Sequence, residues 1–227
     1  MKEPRERPRA IVFDMDGLLL DTERQAVEGF LHACRANGVT PHLPTYYRCI
    51  GTRSRDSRQL MIDGHGPGFP FDDVVAAWGD YYAANFKHRP PPVKIGALEI
   101  LEVVRGAGLP CALATSTRDP AATERLAAVG LDGYFDVKVT GDRITRGKPD
   151  PEIYRTAAAE LRVEPTRAWA LEDSPNGVRA ALAADYSVIQ IPDLVEPDDA
   201  VRALGHTILP SLEAAAQILR SALRNGP

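Results

Sequence analysis

A chain of 227 residues with 44% hydrophobic and 26% charged side chains can bury a sizeable core and is too balanced to be intrinsically disordered. Its net charge of −4 gives no electrostatic basis for a nucleic-acid partner, and its apolar runs are too short to span a bilayer. Three widely spaced cysteines, Cys34, Cys49 and Cys111, with no CxxC pair, argue against a disulfide framework; with no signal-peptide pattern before the first strand, a reducing cytoplasm is expected.

The first nine residues, MKEPRERPR, read as a loose charged tail. Ala10-Ile11-Val12-Phe13 reads as a short buried strand. Residues 22–37 have helical periodicity, with Ala26, Val27, Phe30, Leu31 and Cys34 on one face and Gly38 as a stop. Residues 40–92 differ in character: most of the tyrosines, a Gly-rich loop DGHGPGFP at 63–70, and helical stretches at 55–62 and 72–86. They end in Arg89-Pro90-Pro91-Pro92, a stiff connector that cannot continue a helix.

From residue 93 the pattern becomes rhythmic. A helix at 97–105 precedes a strand at 110–114, a helix from 119 and an extended segment at 135–139. A helix at 151–161, a strand at 167–171, a helix at 174–183, a strand at 187–191 and a last helix at 211–224 follow. Strands alternating with helices predict an α/β fold with a doubly wound, Rossmann-like parallel sheet. Asp119-Pro120, Asp150-Pro151 and Ser174-Pro175 each read as an N-cap followed by Pro at the first helical position. The first strand cannot form a sheet alone, so it must return to pair with the later ones. The expected organisation is an α/β catalytic core of residues 1–21 and 93–227, interrupted by a helical cap domain over 22–92.

Ligands of an open parallel sheet bind beyond the carboxyl ends of its strands, and four of these ends carry polar groups. Asp14-Met15-Asp16-Gly17 follows the first strand, with two carboxylates one residue apart and a Gly for a sharp turn. An EF-hand loop is excluded, because Gly17 stands at position four and Leu18 where a ligand is needed. Thr115-Ser116-Thr117 suits an anion at a helix start, though alone it reads first as a plain cap. Gly147-Lys148-Pro149 is not a P-loop: Pro149 stands where Ser or Thr would bind magnesium. Lys148 is a point charge for phosphate or a surface lysine in a turn. Glu172-Asp173-Ser174 places two more acids at a strand end, which by themselves are ordinary helix-dipole chemistry. Together, carboxylates that can hold Mg²⁺ facing a hydroxyl and a lysine describe a phosphoryl-transfer site.

The four motifs DMDGLLLDTE, ALATSTRD, RGKPDPEIY and LEDSPNGV, in this order, resemble the haloacid dehalogenase superfamily, in the branch of β-phosphoglucomutase and the phosphatases of small phosphomonoesters. The resemblance spans about residues 10–193. It implies that Asp14 is a nucleophile forming an aspartyl-phosphate and that Asp16 is the general acid and base. It further implies Mg²⁺ held by Asp14, the Asp16 backbone carbonyl and Asp173, with Glu172 as a ligand or beside them. Thr115, Ser116 and Lys148 would bind the transferring phosphoryl, and Thr22 would lie at the hinge of the closing cap.

The expected activity is therefore Mg²⁺-dependent hydrolysis of a small phosphomonoester, a sugar phosphate or nucleoside-type phosphate, by a cytoplasmic enzyme able to act as a monomer. Sugar phosphomutase activity is the alternative, and a catalytically silent regulatory or binding protein of the same fold is a second. The mutase has a histidine four residues beyond the hinge threonine, where this chain has Ala26, and an arginine near the position of Ser54; both departures favour hydrolysis. The flanking Arg53 and Arg55, with Arg48, Arg58 and the loop around His65, are candidates for substrate selection, each readable also as a solvated helix face or plain loop. Trp78, Tyr81 and Tyr82 are expected in the cap core. Asp21 and Glu23 are given no chemistry. Asp185, where relatives commonly have Gly, is expected to accept a left-handed conformation.

Overall fold

The computed structural model describes residues 7–224, so residues 1–6 of the expected tail lie outside the described residues. Arg9 is already anchored, its N–H donating to Arg167 O at 2.7 Å. In chain order the elements are β1 (Ala10–Phe13), α1 (Glu23–Ala36), α2 (Leu43–Cys49), α3 (Ser54–His65), α4 (Phe71–Asn85), α5 (Ala97–Gly106), β2 (Cys111–Ala114), α6 (Ala121–Ala128), β3 (Val137–Val139), α7 (Glu152–Leu161), β4 (Ala168–Glu172), α8 (Pro175–Ala183), β5 (Ser187–Gln190), α9 (Asp199–Arg202), β6 (Thr207–Ile208) and α10 (Leu212–Arg224).

The six strands form one parallel sheet in the order β3-β2-β1-β4-β5-β6. Side chains alternate across a strand, so β1 feeds two layers at once. Ile11 and Phe13 join Leu113, Trp169 and Leu171 under α5 and α10, while Ala10 and Val12 join Ala112, Ala170 and Tyr154 under α7 and α8. Burial on both faces is why these strands read as continuous apolar runs. β1 pairs with β2 on one side and β4 on the other. That is the topological switch point, where the strand order reverses and a crevice opens beyond the strand ends.

Helices α1 to α4, between β1 and α5, bury their own cluster. Phe30 stacks on Tyr46 with centroids 4.8 Å apart, and Trp78 leans on both; Val74, Met61 and Phe69 complete it. The face of α1 differs slightly from expectation, since Gly29, Phe30, Ala33 and Cys34 are its buried residues and Leu31 is half-buried. Gly29 is required there, because a Cβ would lie 2.6 Å from the Trp78 ring. The two connections to the sheet run side by side: Leu20 bridges Val93, Asp21 N–H donates to Pro92 O, and Lys94 N–H to Leu19 O. Asp193 braces this crossing by pairing with Arg24 at 2.8 Å and Lys94 at 2.6 Å.

Local signals were uneven. Helix α2 has no counterpart in the sequence reading, since LPTYYRC lacks a legible apolar period. Ser174 caps α8 as expected, accepting from Gly177 N–H. At the other two Asp-Pro steps the expected cap fails: α6 and α7 begin one residue later, after Pro120 and Pro151. There the aspartates find other donors, Asp119 the Thr123 hydroxyl and Asp150 the Glu152 N–H. Asp185 does adopt φ +66°, as expected. No helix among the described residues is long and apolar enough to cross a membrane.

Candidate active site

β1 and β4 end side by side, and each delivers an acid at its carboxyl end. Asp14, Glu172 and Asp173 are all buried and bring carboxylate oxygens within 4.8 Å of one another. Lys148, from the loop before α7, has a fully buried side chain whose ammonium donates to Asp14 Oδ1 at 2.5 Å, Glu172 Oε1 at 2.6 Å and Ala114 O at 2.9 Å. Burial opposes its charge, but Asp14 and Glu172 more than offset this and hold its pKa above the ordinary range. Of the two sequence readings of Lys148, the surface turn is thus excluded.

Burial pushes Asp14 up to about 8, against the pull of Lys148 and with the push of Glu172. Asp173 is also raised, by burial and then by Asp14 and Glu172. One ammonium does not balance this much clustered negative charge, and a divalent cation would. Gly17 keeps the space free: it has φ +86°, and a Cβ there would sit 2.3 Å from Asp173 Oδ2. Three hard carboxylates around a kept space fit a magnesium-class ion. Glu172 is the least available of them. Its Oε1 accepts from Lys148 and the Tyr154 hydroxyl, and its Oε2 from the N–H groups of Asp173 and Ser174 and the Ser174 hydroxyl. Gly177 makes room for it, since a Cβ there would meet the carboxylate at 1.9 Å.

Gly17→Ala therefore combines an unfavourable backbone conformation with overlap on Asp173. A loss of at least about 1–2 kcal/mol is expected from the backbone alone. In thermal melts with and without MgCl₂, the variant should also lose most of the stabilisation that the salt gives the native protein.

Asp16 points elsewhere. Its Oδ1 accepts from the Thr22 hydroxyl at 2.7 Å and from Arg125 at 2.9 Å, and its Oδ2 from the Thr117 hydroxyl at 2.6 Å. Thr115 Oγ1 lies 3.4 Å from the same Oδ2. Thr22 thus touches Asp16 directly from the crossing into α1. Thr117 and Arg125 were not anticipated. Thr117 stands in the quoted motif two residues beyond Thr115, but Arg125 carries no sequence signal, because its place on α6 becomes meaningful only once the helix is docked.

A cavity of about 690 Å³ lies over these groups, walled by the sheet ends below and by α1, α3 and α4 above. Glu23 lines it beside Asp14 and Asp16, and its pKa is pushed up to about 8 by burial and by those two neighbours. The sequence reading gave Glu23 no chemistry; the structure places it on the cavity wall. Ala26 and Tyr82 also line the cavity. Of the three aromatics expected in the helical core, Trp78 packs in the cluster while also lining the cavity; Tyr81 and Tyr82 lie outside the cluster, Tyr81 on His32 and Tyr82 against Phe86 and Arg125.

Other candidates are turned to structural work. Ser116 lines the cavity with Asp14 and Asp16, and its hydroxyl donates to Gly51 O at 2.7 Å, joining the loop after β2 to the helical unit. Arg53 is buried, paired with Asp56 and donating to the Ile144 and Thr145 carbonyls. Arg55 also donates to Thr145 O. Both guanidiniums fasten α3 to the sheet-bearing unit; Arg53 is buried in doing so, whereas Arg55 stays 63% exposed, and both line the cavity. Arg58 pairs with Asp72 on α4, Arg48 is exposed, and His65 stacks on Phe69 with both ring nitrogens engaged.

Comparison with known proteins agrees with this geometry. A family model described as haloacid dehalogenase-like hydrolase matches residues 8–185. The chain is 34% identical over 186 residues to the phosphorylated carbohydrates phosphatase of Thermotoga maritima, covering 77% of this chain and 81% of that protein. It is 32% identical over 179 residues to the validoxylamine A 7′-phosphate phosphatase of Streptomyces hygroscopicus subsp. limoneus, covering 78% and 82%. Among solved structures, CbbY from Rhodobacter sphaeroides in complex with xylulose-(1,5)bisphosphate superposes with a TM-score of 0.73 at 29% identity, covering 91% of this chain and 95% of that one.

Proposed function

The chain belongs to the haloacid dehalogenase-like hydrolase family, and on that premise we propose that it is a Mg²⁺-dependent phosphatase of a small phosphorylated carbohydrate, acting through an aspartyl-phosphate. The observation that carries this reading is the convergence of Asp14, Asp173 and Lys148 beneath a cavity large enough for a sugar phosphate. The phosphorylated-carbohydrate and validoxylamine phosphatases and the bisphosphate-bound CbbY support the substrate class.

A carboxylate oxygen of Asp14 attacks phosphorus, an acyl phosphate forms, and the bond to the sugar oxygen breaks. Asp16 gives that oxygen its proton, then takes one from the water that attacks the acyl phosphate and restores Asp14. Lys148 keeps Asp14 oriented and offers positive charge to the phosphoryl oxygens, joined by Thr115 and the N–H groups after β2. Mg²⁺, held by Asp14, the Asp16 carbonyl and Asp173 with Glu172 orienting Lys148, would neutralise charge on the phosphoryl group. Residues 22–92 act as a cap domain on a core of 1–21 and 93–227, turning at Thr22 to exclude water. Ala26 leaves no imidazole on the cavity wall, in keeping with hydrolysis in place of mutase chemistry. A panel of sugar phosphates, nucleotides and pseudouridine 5′-phosphate, scored for both free phosphate and isomer, tests the proposal. Faster isomer than phosphate with a bisphosphate activator would overturn it.

Metal affinity should depend on pH with a definite sign. Asp14 has its folded pKa raised from 3.8 to about 8, so the folded protein keeps a proton there that the unfolded chain has lost. Without metal, this costs stability increasingly as pH rises between those values, and fully above the upper one. A cation must displace that proton below pH 8. Calorimetric Mg²⁺ affinity is therefore expected to rise at least about tenfold per pH unit between 6 and 8, since Asp173 is raised as well. Affinity independent of pH between 6 and 8 would contradict this.

A further inference from the structure

Four donors converge on Asp16, and one comes from an element that the hydrolytic scheme leaves unused. Arg125 stands on α6 with only 22% of its side chain exposed, beside an Asp16 side chain 18% exposed. Its Nη1 donates to Asp16 Oδ1 at 2.9 Å, on the same oxygen as Thr22. Its other side meets the cap: the guanidinium carbon lies 5.1 Å from the centre of the Tyr82 ring on α4. The guanidinium is thus held between a carboxylate of the sheet unit and an aromatic ring of the helical unit.

Each fastening has a distinct consequence. Thr22 and Thr117 grip Asp16 through single freely rotating hydroxyls, whereas a guanidinium is planar and fixes the carboxylate in direction as well as distance. A ring stacked on that guanidinium steadies it, contributing about 0.5–1 kcal/mol or more where water is excluded. Tyr82 reaches it only from α4, so the stack exists only while α4 lies over the sheet ends. Glu23 is a further charged group near this guanidinium.

We infer that Arg125 is a positioning residue: it aims Asp16 at the oxygen of the departing group, and Tyr82 makes that aim depend on closure of the cap. The inference rests on the proposed role of Asp16 as general acid. A leaving alkoxide needs that proton, while p-nitrophenolate departs without it.

The test compares kcat/KM, which reports steps up to departure of the leaving group, for glucose 6-phosphate and p-nitrophenyl phosphate. Arg125→Ala is expected to lower the ratio of the sugar to the aryl value at least about tenfold, within the 10²–10⁴ that a positioned acid contributes. Guanidinium chloride at millimolar concentration should restore part of the ratio, and Arg125→Lys should fall between. Tyr82→Leu, which takes both the ring and the hydroxyl away from Arg125, should lower the ratio. If Arg125→Ala melts early, Arg125→Gln, which keeps the side-chain stem, carries the same comparison. An equal fall for both substrates would mean a merely structural arginine and overturn the inference, as would no fall. Asp16→Asn separates the two readings. If it shows no loss of the ratio, the acid role of Asp16 fails and the inference with it; if it shows the loss and Arg125→Ala does not, only the arginine's role fails.

Discussion

Asp14→Asn is expected to fold and yet to release phosphate at least about a thousandfold more slowly than the native chain, the scale seen when a nucleophile is removed. The substitution is isosteric, so the burial of position 14 is undisturbed. It takes the nucleophilic carboxylate away and leaves an amide that cannot form an acyl phosphate under these conditions. Lys148 keeps Glu172 and the Ala114 carbonyl as partners, so the ammonium is not stranded. Loss of one carboxylate also relieves the crowding that raises Asp173. Phosphate release from a sugar phosphate, measured beside a circular dichroism spectrum and a thermal melt, checks both halves. A folded variant with full activity contradicts the mechanism.

Lys148→Met should damage stability and catalysis together. Its ammonium is the cation shared by two buried carboxylates, and methionine fills the space without the charge. Removing one partner from a buried ionic cluster costs about 3–5 kcal/mol, because the remaining charges are left unpaired. For a protein of this size that is a fall in Tm on the order of 10 °C. Activity should fall about 10²–10³-fold as the positive charge facing the phosphoryl oxygens disappears. The two effects separate on adding MgCl₂. The cation returns positive charge to Asp14 and Asp173, so part of the lost Tm should recover while most of the lost rate does not. A variant with native Tm and rate would show that Lys148 is not the counter-ion of this site.

The sheet was legible because its signals are local and redundant. Ala10 to Phe13 is apolar at every position, as a strand buried on both faces must be, and the same holds for β2 and for β4 up to Leu171. Acids at two strand ends were legible for a related reason: apolar runs that stop at Asp14 and Glu172 place carboxylates where nothing in the core needs them. Features set by docking were not legible. Arg53 looks like any arginine on a helix face until α3 is laid against the Ile144 and Thr145 carbonyls. That the Ser116 hydroxyl would also tie its loop to Gly51 O could not be read before the two segments were docked. Glu23 reads as the start of a helix, and only the folded cavity shows that it shares a field with Asp14 and Asp16. The Asp-Pro steps differ again: Pro120 and Pro151 themselves stand at the N-cap, so the helices start one residue later and the aspartates bond Thr123 and Glu152 instead of capping.

The most direct test of the central claim is to trap the intermediate. The native protein, mixed with a sugar phosphate and MgCl₂, is quenched in acid within one turnover, reduced with borohydride and digested with trypsin. An acyl phosphate on Asp14 is reduced to homoserine, and mass spectrometry of the peptide 10–24 should locate that change at position 14 and nowhere else. The same peptide from Asp14→Asn should be unmodified. Phosphate released at the native rate with no modification at Asp14, or with the label on another residue, would contradict the account.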